Sequence, residues 1–281
     1  MASAPKIVKG KLGGPLAAAT ALLTLLVAPA GLRAQALPRE GFDYAAYVRV
    51  LETYVTPEGR VRYAALKQEA ADLNAFVQQL AAVSPENRPE LFPTRAAQMA
   101  YWINAYNAFV LDAVVEAYPV ESVRDLKFGF GLLFFKRDRF VAGGRRLSLD
   151  DIEHGILRRQ FSDPRVHFAV NCASASCPRL AREPYRAETL EAQLDQAARA
   201  FIGREENVWM RGDVLFLSKI FNWYAEDFTR RAGAADSSAT VVDYLLDYLP
   251  AETAARIRQE KPRIEYYNYD WSLNDAGPRA E

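Results

Sequence analysis

RFVAGGRRLSLDDIEHGILRR, residues 139–159, decides the fold class. Arg139 to Leu147 has extended flanks around Gly143-Gly144, a pair that tolerates positive φ, so it predicts a β-hairpin. Ser148 then opens a helix. Asp151, three residues on, makes a capping box with a shorter acid: the Ser148 hydroxyl accepts from a backbone N–H and the carboxylate reaches back. A hairpin feeding directly into a helix departs from the regular alternation of a βαβ fold.

The same mixture continues outward. Phe42 to Val55, Ala64 to Ala82, Thr94 to Tyr118 and Arg186 to Ile202 all carry apolar residues at helical spacing. Arg165 to Asn171 (RVHFAVN) predicts a buried strand. Asn207 to Leu217 predicts a second hairpin turning at Gly212-Asp213. Ser218 is expected to cap a helix running to Arg231, and Thr240 another to Leu249. Arg263 to Trp271 is expected to be a late extended segment. Helices and hairpins without regular alternation predict an α+β fold, mainly helical, with short β-hairpins and a small mixed sheet. Gly233 to Ser238 suits a loop better than a domain linker, so residues 37–281 are expected to be a single domain.

Composition excludes some functions. The chain has 281 residues, and its 35 Lys+Arg balance 35 Asp+Glu. That leaves no basic excess for nucleic acid or an anionic bilayer. Residues 1–36 are expected to be an export signal. Lys6, Lys9 and Lys11 precede the apolar stretch Pro15 to Ala30, and Ala34-Gln35-Ala36 supplies small residues for cleavage. The stretch is shorter than the ~20 residues of a membrane-spanning helix. The mature chain is therefore expected to be exported, periplasmic or extracellular, with no stable membrane span.

The chemistry-bearing residues are concentrated. Both histidines and both cysteines, His154, His167, Cys172 and Cys177, lie in one short window. Three readings and a bland one fit them. A cysteine paired with a histidine gives a nucleophile and its base. Two cysteines five residues apart permit a disulfide, which an exporting compartment favours. Zinc held by all four would need the pattern H-x₁₂-H-x₄-C-x₄-C, which lacks the tight pairs of known fingers, so no metal or cofactor is expected. Otherwise the cysteines are small hydrophobes and the histidines ordinary hydrogen-bonders.

Asn104 and Asn107 share a face of the apolar helix Thr94 to Tyr118. Buried amides need partners, so they are expected to tie down a loop or, in the functional reading, to orient a histidine. Lys219 to Phe228 (KIFNWYAEDF) is aromatic at near-helical spacing and is expected to be core. Gly129 to Phe135 is expected to be a mobile lid or a buried connection.

Five pieces together resemble the uncharacterised family called domain of unknown function 547. They are Tyr101 to Asn107 (YWINAYN), Leu149 to Arg158 (LDDIEHGILR), Asp163 to Pro178 (DPRVHFAVNCASASCP), Leu217 to Phe228 (LSKIFNWYAEDF) and Tyr269 to Asn274 (YDWSLN). The resemblance implies an exported bacterial member and centres on Glu153, His154, Asn104, Asn107 and Cys172. It moves the expected functional thiol to Cys172 and away from the disulfide. Cys172 would then be a nucleophile, His154 its base, and Glu153 or Asn104 the residue that orients the ring. Asn107, Arg158, His167 and Cys177 would line the binding site. The reaction expected is cysteine/histidine-dependent hydrolysis, or acyl or thiol transfer, on a small-molecule or peptide ligand. The alternative is a non-catalytic binding or scaffold module of the cell envelope.

Overall fold

The fold is organised around one helix that is buried almost all round. In a computed structural model, which describes residues 41–125, 133–230 and 240–277, Thr94 caps this helix by accepting a hydrogen bond from Ala97 N at 3.1 Å. Three helices precede it: α1 (Ala45–Tyr54), α2 (Tyr63–Gln68) and α3 (Ala71–Ala82). The central helix is α4 (Arg95–Ala117), and nearly every side chain from Met99 to Val115 is buried. The helix expected over 64–82 breaks at Glu69, whose carboxylate accepts from Tyr54 Oη at 3.0 Å. A short helix, α5 (Leu133–Lys136), then leads into the hairpin.

The hairpin forms as its sequence requires. Strands β1 (Phe140–Ala142) and β2 (Arg145–Leu147) pair antiparallel about Gly143 and Gly144, both at positive φ. Gly143 is also sterically obligatory, since a Cβ there would lie 2.2 Å from Ser84 Oγ. Ser148 and Asp151 make the reciprocal cap: Ser148 N donates to Asp151 Oδ2 at 2.9 Å and Asp151 N to Ser148 Oγ at 3.0 Å. The helix that follows is a π-helix (Asp151–Phe161), not an α-helix, and ends at Ser162 in the left-handed region. Its wider i→i+5 turn is uncommon and concentrates at functional sites.

The strand expected over 165–171 is absent. Val166–Ala169 is instead one helical turn, α6, followed by extended Val170. Asp163 Oδ1 accepts from Arg165 N at 2.9 Å, and Pro164 fits a first helical turn. Every residue from Val166 to Asn171 is buried, so apolar content alone could not separate a strand from a helical turn. Alternation of faces therefore does not place His167, and the facing inferred for it from a strand does not hold.

Beyond the cysteine loop come α7 (Leu190–Ile202), β3 (Val208–Arg211) and β4 (Val214–Leu217), the last two forming the second hairpin. The helix expected from Ser218 is two short ones, α8 (Ile220–Trp223) and α9 (Ala225–Thr229), broken at Tyr224. Thr240 caps α10 (Val241–Leu246) through a capping box with Asp243, and α11 (Ala251–Glu260) follows. Strand β5 (Arg263–Tyr266) adds parallel to β4 and completes a three-stranded mixed sheet. The architecture is α+β.

Two apolar cores result. One surrounds α4; the other gathers Phe168, Phe201, Phe221 and Phe228 beneath the sheet. Trp271 packs against both. The described residues lie within one compact unit, Arg39–Glu281. Among them, no helix is long and apolar enough to cross a membrane. Residues 1–36, expected to be an export signal, most of the Gly129–Phe135 stretch and residues 233–238, expected to be a loop, lie outside the described residues.

Candidate functional site

A cleft of about 450 Å³ opens where the two cores meet. Its wall includes Glu153, His154 and Arg158 from the π-helix, His167 from α6, and both cysteines. Folding thus brings together six of the eight residues singled out from the sequence. Asn104 and Asn107 are not among the lining residues.

The two asparagines hold backbone instead. Asn104 Nδ2 donates to Tyr185 O at 2.8 Å, and Tyr185 N donates to Asn104 Oδ1 at 2.9 Å. Asn107 makes the same clamp on the segment before the cysteines, donating to Ala169 O at 2.9 Å and accepting from Asn171 N at 2.8 Å. Each amide satisfies two buried main-chain groups that have no ladder to join. Asn104 therefore does not orient an imidazole.

His154 is oriented by its own helix. Its Nδ1 lies 2.8 Å from Arg158 Nη1 and its Nε2 lies 3.6 Å from Asp150 Oδ1. A guanidinium only donates, so Nδ1 is the acceptor and the ring proton sits on Nε2, towards Asp150. The Nδ1 lone pair is thus taken by Arg158, while Nε2 lies beyond hydrogen-bond distance of Asp150. Glu153 is turned away from this face. Only 8% exposed, it accepts from Tyr106 Oη at 2.9 Å and Tyr224 Oη at 2.5 Å.

His167 is held differently. Its Nε2 lies 2.7 Å from Asp227 Oδ2, and the ring stacks on Tyr224 with centroids 3.8 Å apart. Burial pushes its pKa below the usual value, outweighing the pull of Asp227 and Glu153. Burial alone would raise the Asp227 pKa, yet hydrogen bonds from His167 and from Arg158 Nε at 2.5 Å hold it well below the carboxylate range. The Nε2 proton of His167 is thus directed at the Asp227 carboxylate. His167 Nδ1 is buried and has no hydrogen-bond partner.

The sulfurs are joined. Cys172 and Cys177 form a disulfide with Cα atoms 6.3 Å apart, so the free Cys172 thiol expected from the sequence is not the state present. Among the described residues, neither imidazole hydrogen-bonds to a sulfur. Cys177 Sγ accepts from Cys172 N at 3.0 Å and from Tyr269 Oη at 3.2 Å. Ser174 Oγ donates to Tyr269 Oη at 2.9 Å and lies 3.1 Å from Cys172 Sγ. Cys172 is half-buried and Cys177 buried.

The loop between them is anchored without the sulfur bond. Asn171 Nδ2 donates to Pro178 O at 2.6 Å, Asn171 Oδ1 accepts from Ala173 N at 2.8 Å, and Cys177 N reaches Ser174 O at 3.1 Å. The C-terminal segment adds Ala175 N to Ser272 O at 2.7 Å and Asn274 N to Ala173 O at 2.9 Å. Ala173 itself sits at φ +65°, a region that costs a non-glycine residue about 1–3 kcal/mol and that its surroundings must enforce.

Aromatic rings line the rest. Trp223, Tyr269 and Trp271 pack with centroids 4.6 to 5.6 Å apart, and Trp223 is 44% exposed. The aromatic stretch 219–228 is therefore divided: Phe221 and Phe228 are core, while Trp223 and Tyr224 face the cleft. Phe134 is buried and Phe135 lines the cleft. Asp227, Tyr269, Tyr106 and Ser174 were not singled out from the sequence. All four do fall inside the pieces that carried the resemblance.

Residues 91–202 match the model of a family described as protein of unknown function, DUF547. Over that span the chain is similar to this family. The matched span runs from just before α4 through the π-helix, His167 and both cysteines to the end of α7. Trp223, Tyr224, Tyr269 and Trp271 complete the cleft from outside that span, as does Asp227 by holding His167. No curated protein and no solved structure gives a significant match.

Proposed function

We propose that this protein is a thiol–disulfide exchange enzyme, a thiol transferase in the broad sense, working through Cys172 and Cys177. The supporting observation is the unequal treatment of the two sulfurs. Two donors, one of them a backbone N–H, converge on Sγ of buried Cys177, while half-buried Cys172 has only hydroxyls beside its Sγ, Ser174 Oγ at 3.1 Å and Tyr269 Oη at 3.5 Å. An incoming thiolate attacks Cys172 Sγ and forms a mixed disulfide. The Cys172–Cys177 bond breaks, and its electron pair leaves on Cys177 Sγ, where the Cys172 N–H and the Tyr269 hydroxyl stabilise the charge. A leaving thiol of lower pKa departs faster. A second thiol resolves the mixed disulfide, so two thiols are oxidised and the protein is reduced to a dithiol.

Exchange fits this geometry better than hydrolysis through a thiolate. Hydrolysis through a thiolate needs a free thiol, whereas both sulfurs are joined in the disulfide. Export to an oxidising compartment, supported by the signal-like residues 1–36, would keep the pair oxidised at rest. The second reading is a binding module whose disulfide only secures a loop, and the anchoring of that loop to the C-terminal segment favours it.

Trapping separates the two. Cys177→Ser treated with glutathione disulfide is expected to accumulate one stable adduct at Cys172, detectable by intact mass. Cys172→Ser is expected to react far more slowly at Cys177. Equal reactivity of both variants, at the rate of the unfolded chain, leaves only the binding module.

A further inference from the structure

We propose that His167 is the general base of this exchange, and that the substrate is accordingly a thiol that arrives protonated. The inference rests on the exchange reading above and extends it to a residue with no contact to sulfur in the resting state. Its basis is an unsatisfied acceptor. Asp227 takes the Nε2 proton, and Arg158 keeps Asp227 ionised by a second hydrogen bond. The lone pair of His167 is thereby fixed on Nδ1, which is buried and receives no hydrogen bond. Leaving such a group unpaired is costly, and a cost of that kind in a cleft wall calls for a donor brought by a ligand. Tyr224 stacks on the ring and is itself tied to Glu153, so the imidazole cannot turn to lose this arrangement. In His154, the other imidazole of the cleft, the Nδ1 lone pair is already taken by Arg158.

The charged and titratable groups around His167 are Asp227 from α9, Glu153, His154 and Arg158 from the π-helix, and Tyr224 at the break between α8 and α9. Asp227 is a positioning residue: it selects the tautomer and stabilises the imidazolium as it forms, without itself taking the proton. The step balances. The substrate S–H bond breaks, its proton goes to His167 Nδ1, and the sulfur's electron pair forms the bond to Cys172 Sγ. The pair from the old S–S bond stays on Cys177, and the imidazolium then gives its proton to that thiolate or to water.

The test follows reduction of the oxidised protein by 2-mercaptoethanol from about pH 6 to pH 10, across the titration of an alkyl thiol. With a base in the cleft, the rate near neutral pH should exceed that expected from the thiolate fraction by about tenfold or more. His167→Gln should lose this excess and rejoin the wild type above the thiol's own pKa. Asp227→Asn, a smaller change, should lose it too. A wild-type rate strictly proportional to thiolate overturns the proposal without any variant. So does a His167→Gln rate reduced by one factor at every pH, which marks a packing role. In both cases exchange itself survives; no reduction by thiol at any pH would remove both readings together.

Discussion

Reducing the Cys172–Cys177 bond should cost this protein little stability. The cysteines are five residues apart, so the bond closes a very short loop. Chain entropy over so few residues gives about 2 kcal/mol. The anchors from Asn171, Ser272 and Asn274 do not depend on the sulfurs and should hold the loop once the bond is open. For a domain of this size, a loss of 1 kcal/mol lowers the melting temperature by about 2–4 °C. The Cys172→Ser/Cys177→Ser double variant should therefore melt about 4–8 °C below the oxidised wild type, in a single cooperative transition. Calorimetry or circular dichroism, repeated on wild type with a phosphine reductant, checks this. Unfolding on reduction, or a drop several times larger, would make the bond a structural staple. A bond that must stay closed for the fold to survive cannot turn over, and the exchange reading would fall with it.

Two further outcomes follow from named contacts. Asn104→Ala should destabilise the fold by about 2–3 kcal/mol in urea denaturation, because the Tyr185 N–H and carbonyl lose their partners, while leaving exchange rates of the folded protein unchanged. Its pH companion concerns His167, whose folded pKa is lowered by burial. Below about pH 6.5 the unfolded chain takes up a proton that the folded one refuses, so stability is full above that value and falls with acid, by at most about 1.4 kcal/mol per pH unit. His167→Gln should flatten this slope; equal slopes in both proteins would show the ring to be ionised in the fold.

Local rules carried much of the fold. The Gly143-Gly144 hairpin, the Ser148–Asp151 cap and the Thr94 and Thr240 caps are dictated by neighbours a few residues away. Val166 to Val170 was illegible because burial on all sides erases periodicity. The π-helix was hidden too, since eleven residues are too few to separate its turn from an α-helical one. In the site, the clustering of His154, His167, Cys172 and Cys177 in sequence did mark the cleft. Their partners did not show. Asp227 lies 60 residues from His167 and Tyr269 lies 97 from Cys172, so only tertiary packing joins them. The aromatic setting of Asp227 read as core, which half of it is. The asparagine pair showed the converse: burial cost required partners but left a tied-down loop and an oriented histidine both open, and the amides are spent on backbone.

The most direct test of the central claim is the reduction potential of the Cys172–Cys177 pair. It is measured by equilibrating the full chain against thiol–disulfide buffers and following the fluorescence of Trp223 and Trp271, which share the cleft with the sulfurs. An exchange site should titrate above about −300 mV, within reach of biological thiols. A midpoint below that range, with the bond refusing to open in the folded protein, would contradict the account.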